Sequence, residues 1–370
     1  MVKHVLFFRP TLGDGGADRV TVTLLQNLDR TRFAPSIALV RRRGVLADEV
    51  PADVPVIELG APRLAVAAPY LARVIRARKP DVVVCTAGGA NVVAVAAHWL
   101  ARSSARLVLS ERNSLHRADL SATRKTIENA VKRVAYRRAD VVTAVSEGVG
   151  DALVDVLALA RDRVQVVYNP VISDDLARNA DEPIDHPWFP GDVAHPVIVA
   201  VGRLVAMKDY PTMFAALAKI RQTIGARLVI LGDGPLRGEL EAQVRARGLD
   251  DAVAFLGYDK NPYRYMKHAQ LLLHSSLAEG LPGVLIQSLA CGTPVVATDC
   301  DHGPREVVRD GVDGYLVPVG DADALAQRAL GILGDGALRT RLGAAGALGA
   351  RRFTIAQSMQ RYHAAIGGAA

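Results

Sequence analysis

Cysteine is scarce: three residues in 370, at Cys85, Cys291 and Cys300. So small and odd a count supports neither a disulfide framework nor a four-cysteine zinc site, and a reducing compartment is expected. Aromatic residues make up only 5% of the chain, and the net charge of +7 is shallow, with 26 basic against 21 acidic residues over 1–190 and 19 against 17 over 191–370. Nucleic-acid binders concentrate positive charge more steeply and interleave it with aromatics, so nucleic acid is not an expected partner. Anionic small molecules or anionic lipid headgroups fit this balance at least as well. No run approaches the roughly 18 apolar residues of a bilayer-crossing helix, and Val5–Phe8 is cut off by Arg9 and Pro10. Neither a membrane anchor nor a secretion signal is expected, and the expected location is the cytoplasm, with peripheral attachment to the membrane left open.

Half of the residues are apolar, enough for about two domains with separate cores. Strand-length apolar runs at Val2–Phe8, Ser36–Val40, Asp81–Cys85, Arg106–Leu109, Asp140–Val145 and Val164–Tyr168 alternate with amphipathic stretches such as Pro69–Lys79 and Ala122–Arg138. The second half repeats the plan with Pro196–Val201, Arg227–Leu231, Val253–Leu256, Leu271–His274 and Pro294–Thr298. There Leu236, Leu240 and Val244 share a helix face and Gly248 supplies the stop. Strands apolar on both faces, alternating with helices, predict an α/β protein of two doubly wound parallel sheets. The expected division is a first domain over 1–180, a Pro- and Gly-interrupted linker over 181–195, a second domain over 196–350, and a closing helix over 351–370 with a Met359, Tyr362, Ile366 stripe. Ligands of such sheets bind beyond the carboxyl ends of the strands, and two sheets facing each other would enclose one cleft suited to joining two substrates.

Three segments carry chemistry. After the first strand, Gly13-Asp14-Gly15-Gly16-Ala17-Asp18-Arg19-Val20 feeds a helix whose first amides can approach an anion. The spacing is not that of a dinucleotide fingerprint, and a tight strand-to-helix turn is the simpler alternative. Beyond the strand ending at Val201, Gly202-Arg203-Leu204 precedes Lys208. A guanidinium and an ammonium there would neutralise a diphosphate in fork and point-charge fashion, unless both are ordinary surface charges. The third is Ser275-Ser276-Leu277-Ala278-Glu279-Gly280-Leu281-Pro282-Gly283-Val284-Leu285-Ile286-Gln287. It offers one carboxylate for sugar hydroxyls and a glycine-rich helix entry for a phosphate or sugar. A buried capping loop would explain its glycines but not Glu279, which would then be an exposed charge at a helix entry.

These segments, together with Leu231-Gly232-Asp233-Gly234-Pro235, Tyr168-Asn169-Pro170-Val171, Phe255-Leu256-Gly257 and Ala290-Cys291-Gly292-Thr293-Pro294, resemble the family 4, or group 1, retaining glycosyltransferases. The resemblance spans nearly the whole chain and is most specific in its second half. It implies a GT-B fold: two Rossmann-like domains facing across a cleft, the first binding the acceptor and the second the nucleotide sugar, with the last helix crossing back to the first. The implied catalytic residues are Arg203 and Lys208, on the donor diphosphate, and Glu279, the first acid of the family's E-x7-E element, on the sugar hydroxyls. Donor contacts are implied for Gly15, Gly16, Gly202, Gly257, Tyr258, Gly280, Leu281, Pro282, Gly283, Val284 and Gln287. Gln287 stands where the family carries its second acid, and it can serve ribose hydroxyls without charge. A two-carboxylate mechanism is thereby disfavoured, and a front-face transfer in which the departing phosphate takes the acceptor proton is expected. The family often has a histidine after the fourth strand; here Glu111, Arg112, Asn113 and His116 all remain acceptor-side candidates.

The expected reaction is hexosyl or N-acetylhexosaminyl transfer from a nucleoside diphosphate sugar, UDP-linked, to a saccharide or lipid-linked saccharide in cell-surface polysaccharide assembly. A nucleotide-sugar epimerase and a catalytically silent nucleotide-sugar-binding protein are the alternatives. No cofactor or metal is expected. Asp299-Cys300-Asp301 follows a strand and Asp321-Ala322-Asp323 starts a helix, so neither D-x-D pattern reads as a metal site. In the Ala122–Arg138 stretch, Arg124-Lys125, Lys132-Arg133 and Arg137-Arg138 recur, with Ile127, Val131 and Val134 available to face inward. That pattern suits a solvated helix face or electrostatic docking on an anionic leaflet.

Overall fold

The structure, a computed structural model, describes residues 2–13, 15–113, 115 and 121–368. It divides into two compact units, Met1–Pro170 with Ile355–Ala370, and Val171–Thr354. The division falls at 170/171 rather than within the expected linker because the 171–195 stretch packs on the second unit. Asn261 donates to the Asn179 carbonyl at 2.7 Å, Arg264 donates to the Pro183 carbonyl at 3.0 Å, and Lys267 pairs with Asp181.

In the first unit seven strands, β1 (Lys3–Arg9), β2 (Phe33–Leu39), β3 (Val56–Glu58), β4 (Val82–Cys85), β5 (Arg106–Glu111), β6 (Val141–Ala144) and β7 (Val164–Val166), form a parallel sheet in the order β3-β2-β1-β4-β5-β6-β7. In the second unit β8 (Val197–Val201), β9 (Arg227–Leu231), β10 (Val253–Gly257), β11 (Leu271–His274), β12 (Val295–Thr298) and β13 (Gly314–Val317) are parallel in the order β10-β9-β8-β11-β12-β13. Each order is that of a doubly wound sheet, which reverses beside its first strand: between β1 and β4, and between β8 and β11. The central strands are apolar on both faces because helices cover both. Val5 to Phe8, Val197 to Val199 and Leu271 to Leu272 are fully buried. The edge strands β3 and β13 have no counterpart among the runs expected from sequence, being short and only partly buried.

The Ile355–Gly367 helix belongs to the first unit, where Met359, Tyr362 and Ile366 enter the core with Phe7, Leu24 and Phe33. Lys3 donates to the Gly367 carbonyl at 2.6 Å and Arg106 to that of Ala365 at 3.2 Å. Among the described residues no helix is long and apolar enough to cross a membrane.

The Ala122–Tyr136 helix is turned opposite to expectation. Ile127, Val131 and Val134 are 61%, 47% and 65% exposed, while Lys125, Glu128, Asn129 and Lys132 are half-buried and Tyr136 is buried. The reason lies beneath it. Tyr136 donates to the buried Glu111 carboxylate at 2.7 Å, and Lys132 bonds Glu128 at 3.1 Å and approaches Glu111 at 3.8 Å. A buried carboxylate needs polar partners more than this helix needs to hide three aliphatic side chains.

Candidate active site

β8 and β11 lie side by side, although two other strands intervene in the chain. The loops leaving their carboxyl ends therefore diverge and open a crevice at the switch point. The loop after β8 carries Gly202, Arg203 and Lys208; the loop after β11 carries Ser275 to Pro282. Leu277 donates its amide to the Met207 carbonyl at 2.8 Å, and the Ser275 hydroxyl to that of Lys208 at 2.7 Å, so the two loops are tied.

The Gly202 loop is also locked from its other side. Gly202 donates to Leu231 at 2.9 Å and Leu204 to Asp233 at 3.0 Å. Gly232 has φ +137°, and a Cβ there would stand 2.0 Å from the Gly202 carbonyl oxygen. Only glycine permits that approach. The Gly202-Arg203-Leu204 and Leu231-Gly232-Asp233-Gly234 motifs are thus two sides of one backbone contact.

Lys208 folds over Gly202 and reaches Glu279: Nζ lies 2.5 Å from Oε1, the two side chains being 23% and 14% exposed. His274, buried at the end of β11, places Nε2 3.1 Å from the same oxygen and 3.0 Å from the Ser276 hydroxyl. Burial would raise the Glu279 carboxyl, but the Lys208 ammonium and the His274 hydrogen bond outweigh it and hold the group well below the ordinary carboxylate range. Burial pushes the imidazole down, opposed in part by Glu279. A neutral ring facing a carboxylate must carry its proton on Nε2, which leaves Nδ1, buried and without a partner, as a bare acceptor. Both donors hold Oε1. Oε2 has no partner among the described residues.

Past Glu279 the chain enters the Gly283–Ala290 helix through Pro282, with no side chain capping its first amides. Leu281 and Pro282 are buried, and Gly283 and Val284 half-buried. Gln287 donates to the Tyr263 hydroxyl at 3.3 Å. The Arg203 guanidinium is exposed and has no ion pair or hydrogen bond among the described residues; no described contact joins it to Lys208. Gly257, at φ +76°, closes β10 and accepts from the Gly232 amide at 2.7 Å, while Tyr258 is 43% exposed.

At the equivalent switch point of the first unit, Gly15 precedes the Gly16–Asn27 helix without a side-chain cap. A Cβ on Gly16 would meet nothing within 4 Å, so packing does not demand glycine there. Asp18 stands at the turn, 2.5 Å from the buried guanidinium of Arg9, which also donates to the Thr86 carbonyl at 2.7 Å. Burial lowers the Arg9 pKa and Asp18 counteracts this. Of the acceptor-side candidates, Glu111 is buried against Gly88 and Tyr136. Arg112 donates to Asn169 at 2.6 Å and to the Tyr362 hydroxyl at 3.0 Å. Asn113 is exposed, and His116 lies outside the described residues.

Asp299 is engaged by Arg305 at 2.5 Å, and Asp321 caps its helix by accepting from the Ala324 amide at 2.8 Å. Among the described residues no group of three or more His, Cys, Asp or Glu side chains is placed to hold a metal ion. Sequence reasoning missed His274, Ser276 and the Arg9–Asp18 pair. A histidine closing an otherwise apolar buried strand, five residues before Glu279, was the available signal for the first.

Two doubly wound parallel sheets, the second gathering Lys208, an ionised Glu279 and uncapped helix amides at its switch point, define a protein of the GT-B class. Residues 14–175 match glycosyltransferase family 4, and residues 189–348 match the glycosyl transferases group 1. The chain belongs to the family 4 glycosyltransferases. It is 29% identical over 341 residues, 89% of this chain and 90% of the relative, to the N-acetylgalactosamine-N,N'-diacetylbacillosaminyl-diphospho-undecaprenol 4-alpha-N-acetylgalactosaminyltransferase of Campylobacter jejuni. Over 212 residues, 56% of this chain and 58% of the relative, it is 31% identical to the lipopolysaccharide core biosynthesis glycosyltransferase LpsE of Rhizobium meliloti. The fold matches the crystal structure of Anabaena Alr3699/HepE in complex with UDP and glucose, with a TM-score of 0.81 and 23% identity over 99% of this chain and 100% of that one.

Proposed function

We propose that this protein transfers a hexosyl or N-acetylhexosaminyl group from a UDP-linked sugar to a hydroxyl of a saccharide or lipid-linked saccharide in cell-surface polysaccharide assembly, with retention of anomeric configuration and without a metal. The observation that carries the reading is the Lys208–Glu279 pair at the β8/β11 switch point, which brings a cation and an ionised sugar-directed acid into one crevice. Lys208 and Arg203 neutralise the diphosphate, the second in a fork that its lack of any competing partner leaves free. The uncapped amides at Gly283 and Val284 add donors at the positive end of a helix. Glu279 Oε2 accepts from sugar hydroxyls, and the departing phosphate takes the acceptor proton on the same face of the sugar.

The reading is supported by the UDP in the fold's structural neighbour and by the undecaprenol-linked substrate in the name of the Campylobacter relative. An acceptor of that kind is presented at a membrane, where the protein would attach peripherally. The test is a thermal-shift panel of nucleoside diphosphates and their sugars, because a ligand bound only by the folded state raises the melting point. Transfer by the best donor is then followed by NMR of the new anomeric centre with chelator present. UDP-selective stabilisation and an axial product from an axial donor support the proposal. An isomerised donor formed without acceptor, loss of activity on chelation, or an inverted product overturns it.

A further inference from the structure

We propose that Arg112 is the residue by which the first unit recognises an anionic acceptor, its guanidinium taking a carboxylate or phosphate carried by the acceptor saccharide. The inference rests on the reading above only in assigning the acceptor to the first unit. Arg112 follows β5, at the carboxyl ends of the strands and beside β4, whose other neighbour β1 marks the switch point where such sheets bind ligands. It is 7% exposed and has no ion pair among the described residues. A buried cation is costly without a counter-charge.

The guanidinium is held by neutral groups. Nη1 donates to Asn169 Oδ1 at 2.6 Å and Nη2 to the Tyr362 hydroxyl at 3.0 Å, with the tyrosine ring 6.0 Å away. These bonds use two of its five N–H groups, and the buried Nε has no partner among the described residues. Glu111, next in the chain, is engaged elsewhere: Oε1 accepts from the Arg112 and Asn113 amides at 3.2 and 3.4 Å, and Oε2 from Tyr136 at 2.7 Å. The buried Arg9 guanidinium, at the end of β1, is already matched by Asp18. Its pKa is lowered chiefly by burial, to which Arg112 adds, so a second cation stands in the same neighbourhood. A strap between the sheet and the last helix needs only a neutral donor. A guanidinium oriented by two neutral acceptors, with N–H groups unused, suits an oxyanion, which supplies the missing charge and takes a forked pair of hydrogen bonds. Asn169 and Tyr362 are then positioning residues that set its plane.

The test titrates the full chain, with UDP saturating so that the second-unit crevice is filled, against methyl glucuronide, glucose 6-phosphate and the neutral methyl glucoside, read by melting point. One anionic sugar should bind about tenfold or more tightly than the glucoside, and the tighter of the two identifies carboxylate or phosphate. Arg112→Gln should abolish the preference, and Arg112→Lys should keep part of it, since charge survives without the fork. Arg112 is buried, so its loss can cost stability; Tyr362→Phe keeps both the ring and the guanidinium and should still weaken the preference about fivefold. Anionic and neutral sugars that bind alike, or a preference that survives both Arg112→Gln and Tyr362→Phe, would overturn the proposal. A lowered melting point with the preference intact would make Arg112 a structural strap. An Arg112-dependent anion preference without any UDP shift in the parent would remove the transferase reading and leave this one standing, and a UDP shift without the preference would do the reverse.

Discussion

Lys208 and Glu279, 71 residues apart in the chain, meet at 2.5 Å where two neighbouring strands release their loops. Each is the other's electrostatic support, and both are largely withdrawn from water. Substituting Lys208 by Ala therefore strands Glu279 on its histidine and, on the proposed function, also removes a diphosphate ligand. Turnover should fall about a hundredfold or more, the scale on which a preorganised charge contributes to a transition state. The folded state should lose about 1–3 kcal/mol. Glu279→Gln should act alike on turnover, and the double variant should lose less stability than the two singles together, because neither partner is left unpaired. A double-mutant cycle of urea denaturation alongside initial rates reads both; strictly additive stability losses would contradict the pairing.

His274 acts through Glu279. Its Nε2–H holds Oε1 and leaves Oε2 without a partner among the described residues; on the proposed function, His274→Gln, which retains a donor, should therefore cost less kcat than His274→Ala, with KM for the donor affected in the same order. The sign of the pH effect follows from burial. The imidazole pKa is lowered in the fold from an ordinary value of about 6.5, so its contribution to stability is complete above that value and is lost as pH falls through the window below it. Melting curves of the full chain between neutral and mildly acidic pH should fall more steeply for the parent than for His274→Gln. Other buried histidines affect both proteins equally, and parallel curves would show that His274 does not titrate in this way.

The central strands were readable because their residues are apolar on both sides, as in Val5–Phe8 and Leu271–Leu273. β3 and β13 were not, since edge strands of three or four residues, of which only Gly314 and Val317 are buried, leave no run to recognise. Glu279 was readable as a carboxylate before a Gly-Leu-Pro-Gly helix entry. Its fixation by His274 was not, because that bond exists only once the loop turns back over its own strand. The Ala122–Tyr136 helix shows the limit most plainly. Helical spacing says that Ile127, Val131 and Val134 share a face, but which face turns inward was decided by Glu111 and Tyr136. Glu111 lies on another element, and neighbouring sequence does not reveal that contact.

Arg203 offers a separate test because the fold does not need it. Its guanidinium is exposed and without a partner among the described residues, so neither Arg203→Lys nor Arg203→Ala should shift the melting point measurably. Lysine keeps the charge but replaces a planar fork by a single ammonium, and donor KM should rise about tenfold, with a larger rise for alanine. Steady-state kinetics over a donor series, with melting curves of the same preparations, would show it. Equal KM for all three proteins would remove Arg203 from the donor site.

Gln287 sits eight residues after Glu279, on the same side of the Gly283–Ala290 helix as Gly283, and donates to the Tyr263 hydroxyl at 3.3 Å. A carboxylate in its place would reverse the polarity of that bond, with the tyrosine donating, and a hydroxyl accommodates this by rotation. The added charge is half-buried rather than enclosed, so its desolvation penalty is modest and is offset by the stronger charge-assisted bond. Gln287→Glu should therefore fold normally and bind UDP within about fivefold of the parent, or ~1 kcal/mol, as read by titration calorimetry. A ribose hydroxyl can donate to either side chain but cannot receive a hydrogen bond from a carboxylate. If UDP affinity collapses while the melting point is unchanged, Gln287 serves the nucleotide as a donor, and its neutrality is a requirement of this site rather than a tolerated replacement.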